Sequence, residues 1–289
     1  MKRICIFIAA ILLLSLFSGC TQSETADIAA TTLPVYEFTS RLCNGTGLSV
    51  TRLITEEVSC LHDYSLNVRQ VRAAESAELI VISGAGLEEF MHDLLHDKNV
   101  IDSSGGIELI ECSEPHEHDH GHNHHESDSH IWLSPENAKV MVSNICTGLC
   151  SRYPQFDAIF EANLEALLLD IEKLNTYGKK QLSDLACREL ITFHDGFAYL
   201  TQSFDLTILK AVEEESGSEA SAAELKELIL LVREHDLPAI FTETNGSVSA
   251  ADLIARETGI HTFTLDMAMS TGWFEAMYHN IDTLKEALE

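Results

Sequence analysis

Basic residues are scarce in this chain. Eighteen Lys and Arg stand against 46 Asp and Glu, a formal charge of -28 over 289 residues. A nucleic-acid partner would be repelled, as would an anionic membrane surface, whereas a cation would be attracted. There is no Cys-x-x-Cys pair, so nothing points to a thiol-redox enzyme. Gly-x-Ser-x-Gly is absent, which removes the hydrolase nucleophile elbow, and the one His-Glu-x-x-His match, His116 to His120, falls in a polar low-complexity tract without the apolar pattern of a zinc-protease helix. No internal sequence repeat is visible. The apolar run Ile4 to Phe17 falls short of the ~20 residues that span a bilayer comfortably.

That run has another reading. Lys2 and Arg3 precede it and Ser18-Gly19-Cys20 follows it. A basic start, an apolar stretch and a small-residue cleavage site make residues 1–19 an export signal. Leu16-Phe17-Ser18-Gly19-Cys20 resembles a bacterial lipobox, with Phe17 where Leu is usual. Cys20 is therefore the expected lipidation site, residues 20–25 the lipid-bearing Cys and its polar tether, and the protein extracytoplasmic and lipid-anchored to the membrane. A plain cleaved signal is the alternative. Export permits disulfides among Cys43, Cys60, Cys112, Cys146, Cys150 and Cys187, but pairing is not readable from spacing. Cys146 and Cys150, four apart in a helical pattern, suit small apolar packing.

At 45% hydrophobic residues the remainder has a real core. Short apolar segments alternate with helical ones, which argues for α/β architecture with parallel sheets. Strands are expected at Ile28 to Thr32, Leu48 to Leu53, Leu79 to Ser83 and Ile107 to Ile110. A second set is expected at Glu189 to Phe193, Leu206 to Leu209, Ala239 to Thr242 and Thr262 to Leu265. Asn67 and Ser134-Pro135 open helices, Ser221 to Glu224 has capping-box form, and Gly259 ends a helix from Ser249. Residues 156–182 carry the longest helical signal, with Phe160, Leu164, Leu167, Ile171 and Leu174 on one stripe and Gly178 as its weak point. The expected division is a first lobe over 26–153, a linking helix over 154–185 and a second lobe over 186–289. A polar, His-rich loop over 114–128 interrupts the first lobe.

Four potential ligands follow expected strands: His62, His130, His194 and Asp266. Open α/β sheets bind ligands beyond the carboxyl ends of their strands. Two such residues from each half can meet between the lobes, and three imidazoles with one carboxylate suit tetrahedral zinc. Taken singly, a His at a strand end is more often structural, and Asp266 fits a turn or cap equally well. The settings His62-Asp63-Tyr64, His130-Ile131-Trp132 and Thr192-Phe193-His194-Asp195 raise the joint case, and in the latter two aromatic or apolar neighbours beside the imidazole exclude water and orient the ring. Within His116 to His125, six of ten residues are His: His116, His118, His120, His122, His124 and His125. Such a tract builds no core and commonly binds metal, here as a loose auxiliary store; an inert insertion is the alternative.

These residues carry a resemblance. Thr32-Leu33-Pro34-Val35-Tyr36, Leu61 to Leu66, Gly84-Ala85-Gly86-Leu87-Glu88, the block His130 to Ala138, Thr192 to Asp195, Pro238 to Glu243 and Thr258-Gly259 together resemble the metal-binding class of ABC-transporter solute-binding lipoproteins, and most closely its zinc-uptake members. The resemblance implies two lobes, each with a four-stranded mainly parallel sheet, joined by one long rigid helix, with the metal in the cleft. It implies the ligands His62, His130, His194 and Asp266. Zinc members usually have His at the third position, where manganese members have a carboxylate, so Zn2+ is expected and Mn2+ is the alternative. It also implies an ABC permease and its ATPase as partners, a monomeric binding protein and no catalysis. A metal-dependent adhesin is a further alternative, and a zinc hydrolase a weaker one, since three His and one Asp would close the shell. Two positions depart from the pattern. Leu61 replaces a usual Pro, and Met267-Ala268-Met269 replaces a Pro-Leu-Gly type turn after Asp266. Glu243, at a strand end, is the reserve carboxylate.

Overall fold

The computed structural model describes residues 26–56, 61, 64–111, 127–212, 221–244, 246 and 248–289. His62, the tract His116 to His125 and Cys20 lie outside them. Two four-stranded sheets, each with parallel pairing throughout, form the frame. The first comprises β1 (Ile28–Ala30), β2 (Val50–Arg52), β3 (Leu79–Ile82) and β4 (Val100–Asp102), in the order β2-β1-β3-β4. The second comprises β5 (Glu189–Thr192), β6 (Thr207–Ala211), β7 (Ala239–Glu243) and β8 (His261–Leu265), in the equivalent order β6-β5-β7-β8. In each sheet the chain reverses its direction of winding between the two central strands, and the crevice beyond their carboxyl ends is where such folds bind ligands.

One strand differs from expectation. Ile107 to Ile110 is not in the sheet, and β4 is Val100–Asp102 instead. Ile107 and Ile110 pack on the edge of the core while Ile110 O accepts the Asp128 N–H at 2.8 Å and Glu111 bridges Ser127 in antiparallel fashion. The segment is thus one arm of the neck below the His-rich loop. Its apolar residues face the core, but its backbone pairs with the returning arm rather than with β4.

Nine helices flank the sheets among the described residues. These are α1 (Leu33–Leu42), α2 (Val68–Ser76), α3 (His92–Leu95), α4 (Pro135–Arg152), α5 (Asp157–Gln181), α6 (Ala198–Ser203), α7 (Ala222–Glu234), α8 (Ser249–Thr258) and α9 (Trp273–Leu288). Asn67 and Ser221 form complete capping boxes with Gln70 and Glu224. Ser134 accepts from the Asn137 N–H, with Pro135 in the first turn of α4. At 25 residues, α5 reaches about 37 Å and spans both lobes. It runs unbroken through Gly178, contrary to the expected weak point. A Cβ there would lie 2.3 Å from Phe204 Cε1, so the glycine admits a ring from the second lobe against the helix backbone.

One hydrophobic core is continuous across the lobes, from Ile28 and Ile80 through Trp132 and Leu167 to Trp273 and Leu284. A smaller cluster with Ile191, Phe193, Leu228 and Ile254 covers one face of the second sheet. Cys43, Cys146, Cys150 and Cys187 are free, and burial pushes the Cys43 and Cys146 thiols up to about 12, which makes them inert packing groups. No helix of the described residues is long and apolar enough to cross a membrane.

Candidate metal centre

The two central crevices are filled differently. In the first lobe, Glu88 turns back into its crevice. Its Oε1 accepts the Thr31 hydroxyl at 2.6 Å and the Ser83 N–H at 2.8 Å, and its Oε2 accepts the Gly84 N–H at 3.0 Å. This buried carboxylate fixes the loop after β3. Desolvation pushes it up to about 7 against its hydrogen bonds. In the second lobe the same place holds His194, two residues beyond β5, and Glu243, the last residue of β7.

The structure brings His130 and His194 together from the two lobes. Both are buried, and their rings meet edge to face with centroids 5.3 Å apart. His130 precedes a 3-10 turn (Ile131–Leu133) that leads into α4. Asp128 Oδ1 accepts the His130 backbone N–H at 2.8 Å and stands 2.8 Å from its Nδ1. A neutral ring so held carries its proton on Nδ1 and offers the Nε2 lone pair to a cation. Glu243 Oε2 lies 3.8 Å from His194 Nδ1, within charge attraction but beyond a hydrogen bond. The two imidazoles thus each face a carboxylate at Nδ1.

Asp266 follows β8 directly, but its carboxylate is turned into its own loop. Oδ1 accepts the Ala268 N–H at 2.7 Å and the Met269 N–H at 3.3 Å, and Oδ2 accepts the Ser270 hydroxyl. Asn280 of α9 clamps its backbone, accepting the Asp266 N–H at 2.8 Å and donating to its carbonyl at 2.7 Å. This is how the chain turns without a Pro-Leu-Gly sequence: a side-chain cap organises Met267 to Met269, with Ala268 in the left-handed region at φ 60. Among the described residues no three His, Cys, Asp or Glu side chains are grouped so as to hold a metal ion.

Tryptophan closes the apolar side. Trp132 packs edge to face on His130 and donates its indole N–H to Met267 O at 2.8 Å. Trp273 donates to Trp132 O at 2.7 Å. Three further residues of the site carry no motif in the sequence. Asp128 is signalled only by standing two before His130. Tyr199 of α6 donates to Asp128 O at 2.9 Å and accepts the Ile110 N–H at 3.0 Å, which ties the loop neck to the second lobe. Gly196 lies against His194, where a Cβ would fall 2.8 Å from Cδ2 and 2.9 Å from Nε2 of the ring.

Known proteins resemble the chain over most of its length. The sequence model of the zinc-uptake complex component A periplasmic family, ZnuA, matches residues 28–287. The zinc-binding lipoprotein AdcA of Streptococcus pneumoniae strain R6 is 29% identical over 311 residues. That alignment takes in 100% of this chain and 62% of AdcA, so the chain spans less than two thirds of that relative's length. The high-affinity zinc uptake system protein ZnuA of Bacillus subtilis strain 168 is 29% identical, with 94% of this chain and 90% of that protein covered. A crystal structure of ZnuA superposes with a TM-score of 0.81 at 29% identity, covering 91% of this chain and 100% of that one. With the family model matching nearly end to end, the chain belongs to the ZnuA family.

Proposed function

We propose that this protein captures Zn2+ outside the cytoplasm and presents it to an ABC permease and its ATPase. Anchorage through a lipid on Cys20 and a monomeric state complete the reading. The observation that carries it is the meeting of His130 and His194, two buried imidazoles from separate lobes, in an apolar setting with a carboxylate facing each Nδ1. His62 is the third ligand and Asp266 the fourth. A carboxylate oxygen that accepts one hydrogen bond keeps a lone pair for a metal, so the Asp266 turn does not disqualify it. Glu243 supports His194 as Asp128 supports His130. An imidazole-rich shell favours zinc over manganese. Capture and release need no covalent chemistry. The tract His116 to His125 serves as a loose store in addition to the tight site.

Calorimetry tests this directly. His194→Ala removes tight Zn2+ binding, whereas deleting Glu114 to Ser127 lowers the number of ions bound and leaves one tight site. Unchanged affinity in the first variant, or loss of the tight site in the second, overturns the assignment. Mn2+ displacing Zn2+ at equal concentration would favour the manganese alternative.

A further inference from the structure

We propose that His92 and His96 form a second cation site, on the surface of the first lobe, for a borderline divalent ion such as Zn2+ or Cu2+. α3 is short, but its backbone is helical from His92 (φ -47, ψ -49) to His96 (φ -52, ψ -40). Residues four apart on a helix lie ~6 Å apart along the axis and about 40° apart around it, so their side chains share one face. Two imidazoles at that spacing can reach one ion with bonds of ~2.0–2.1 Å. The sequence His92-Asp93-Leu94-Leu95-His96-Asp97 fixes which side faces out. Leu94 and Leu95 are half-buried and pack on the core, which leaves both histidines and both aspartates exposed.

Each ring also has its own carboxylate neighbour. Asp93 Oδ1 is 3.6 Å from His92 Nδ1, and Asp97 Oδ1 is 3.1 Å from His96 Nδ1. The Asp97 contact is within hydrogen-bond range, which turns Nε2 of His96 outward and makes it a better donor, whereas Asp93 is beyond that range and contributes charge alone. The two aspartates add negative potential for an incoming cation. The 3-10 turn Glu89–Met91, just before α3, packs on Tyr64. Phe90 meets Tyr64 edge to face at 5.5 Å, and Tyr64 is two residues beyond His62. The exposed pair therefore rides on an element braced against a segment of the proposed tight site, though its binding does not depend on that site.

Histidine modification tests the pair without disturbing the cleft. The mature chain, first loaded with one equivalent of Zn2+, is treated with diethyl pyrocarbonate across a Zn2+ titration and mapped residue by residue. Exposed His261 and His279, neither with an imidazole one turn away, are the internal controls. Zn2+ protects His92 and His96 together, at concentrations that leave His261 and His279 reactive. His92→Ala, a surface change that leaves the fold intact by circular dichroism, raises the Zn2+ needed to protect His96 roughly 10-fold or more, because chelation is lost. Equal protection of His96 in that variant, or protection of all four histidines in parallel, overturns the proposal.

Discussion

A glycine two residues past His194 shows how closely the ring is held. At Gly196 an added methyl would meet Met267 Cε at 2.6 Å as well as the imidazole. Both neighbours matter to the site, since Met267 O is the acceptor for Trp132. Gly196→Ala must push the His194 ring or the Met267 chain aside. Zinc affinity therefore falls by about 10- to 100-fold, the scale seen when groups that orient a metal ligand are lost. Calorimetry reads that loss, and a melting temperature close to wild type separates it from general unfolding. An unchanged affinity would mean that the ring position is not what Gly196 protects. Asp266 illustrates the opposite limit of residue-level reading. Its place after β8 follows from the sequence, but its engagement by Ala268, Met269 and Ser270 depends on the fold of the turn.

At the scale of elements, the crevice of the first sheet is sealed by Glu88, and the seal has a pH signature. Its carboxyl is raised from 4.5 to about 7 by burial, so the folded state holds a proton that the unfolded state has lost. The contribution is fully present below the unfolded value and is lost as pH rises through the folded one. Across pH 4.5 to 7 this amounts to on the order of 3 kcal/mol. Glu88→Gln removes that portion of the slope, at a constant cost from the Gly84 N–H, which then faces an amide NH2. Denaturant unfolding of both proteins at pH 5 and pH 8 checks it, and parallel pH trends would refute it. Elements with local chemistry were legible in the sequence: seven of the eight strands, and the helix starts at Asn67, Ser134 and Ser221. Ile107 to Ile110 misled because an apolar run reports contact with the core, not the partner of its backbone. α9 has no capping side chain in its own sequence. Its first N–H, on Trp273, is accepted by Glu37 from the other lobe at 2.6 Å, a contact that local patterning cannot reveal.

The whole molecule is tied across its cleft more than two lobes on a hinge would be. The only two tryptophans of the chain each donate one interlobe bond, Trp132 to Met267 O and Trp273 to Trp132 O. Phe38 packs edge to face on Trp273, Tyr199 holds the loop neck, and α5 lies along both lobes within one continuous core. Opening the lobes as rigid bodies would expose that shared apolar surface, at about 25 cal/mol per Å2, and break several buried hydrogen bonds as well. Local rearrangement of segments such as Met267 to Ser270 disturbs far less. Metal loading therefore leaves the radius of gyration unchanged in solution scattering while it shifts tryptophan emission, since Trp132 touches His130 directly. A clear contraction on adding Zn2+ would show that the interlobe bonds are broken in the metal-free protein, and that capture proceeds by closing the lobes.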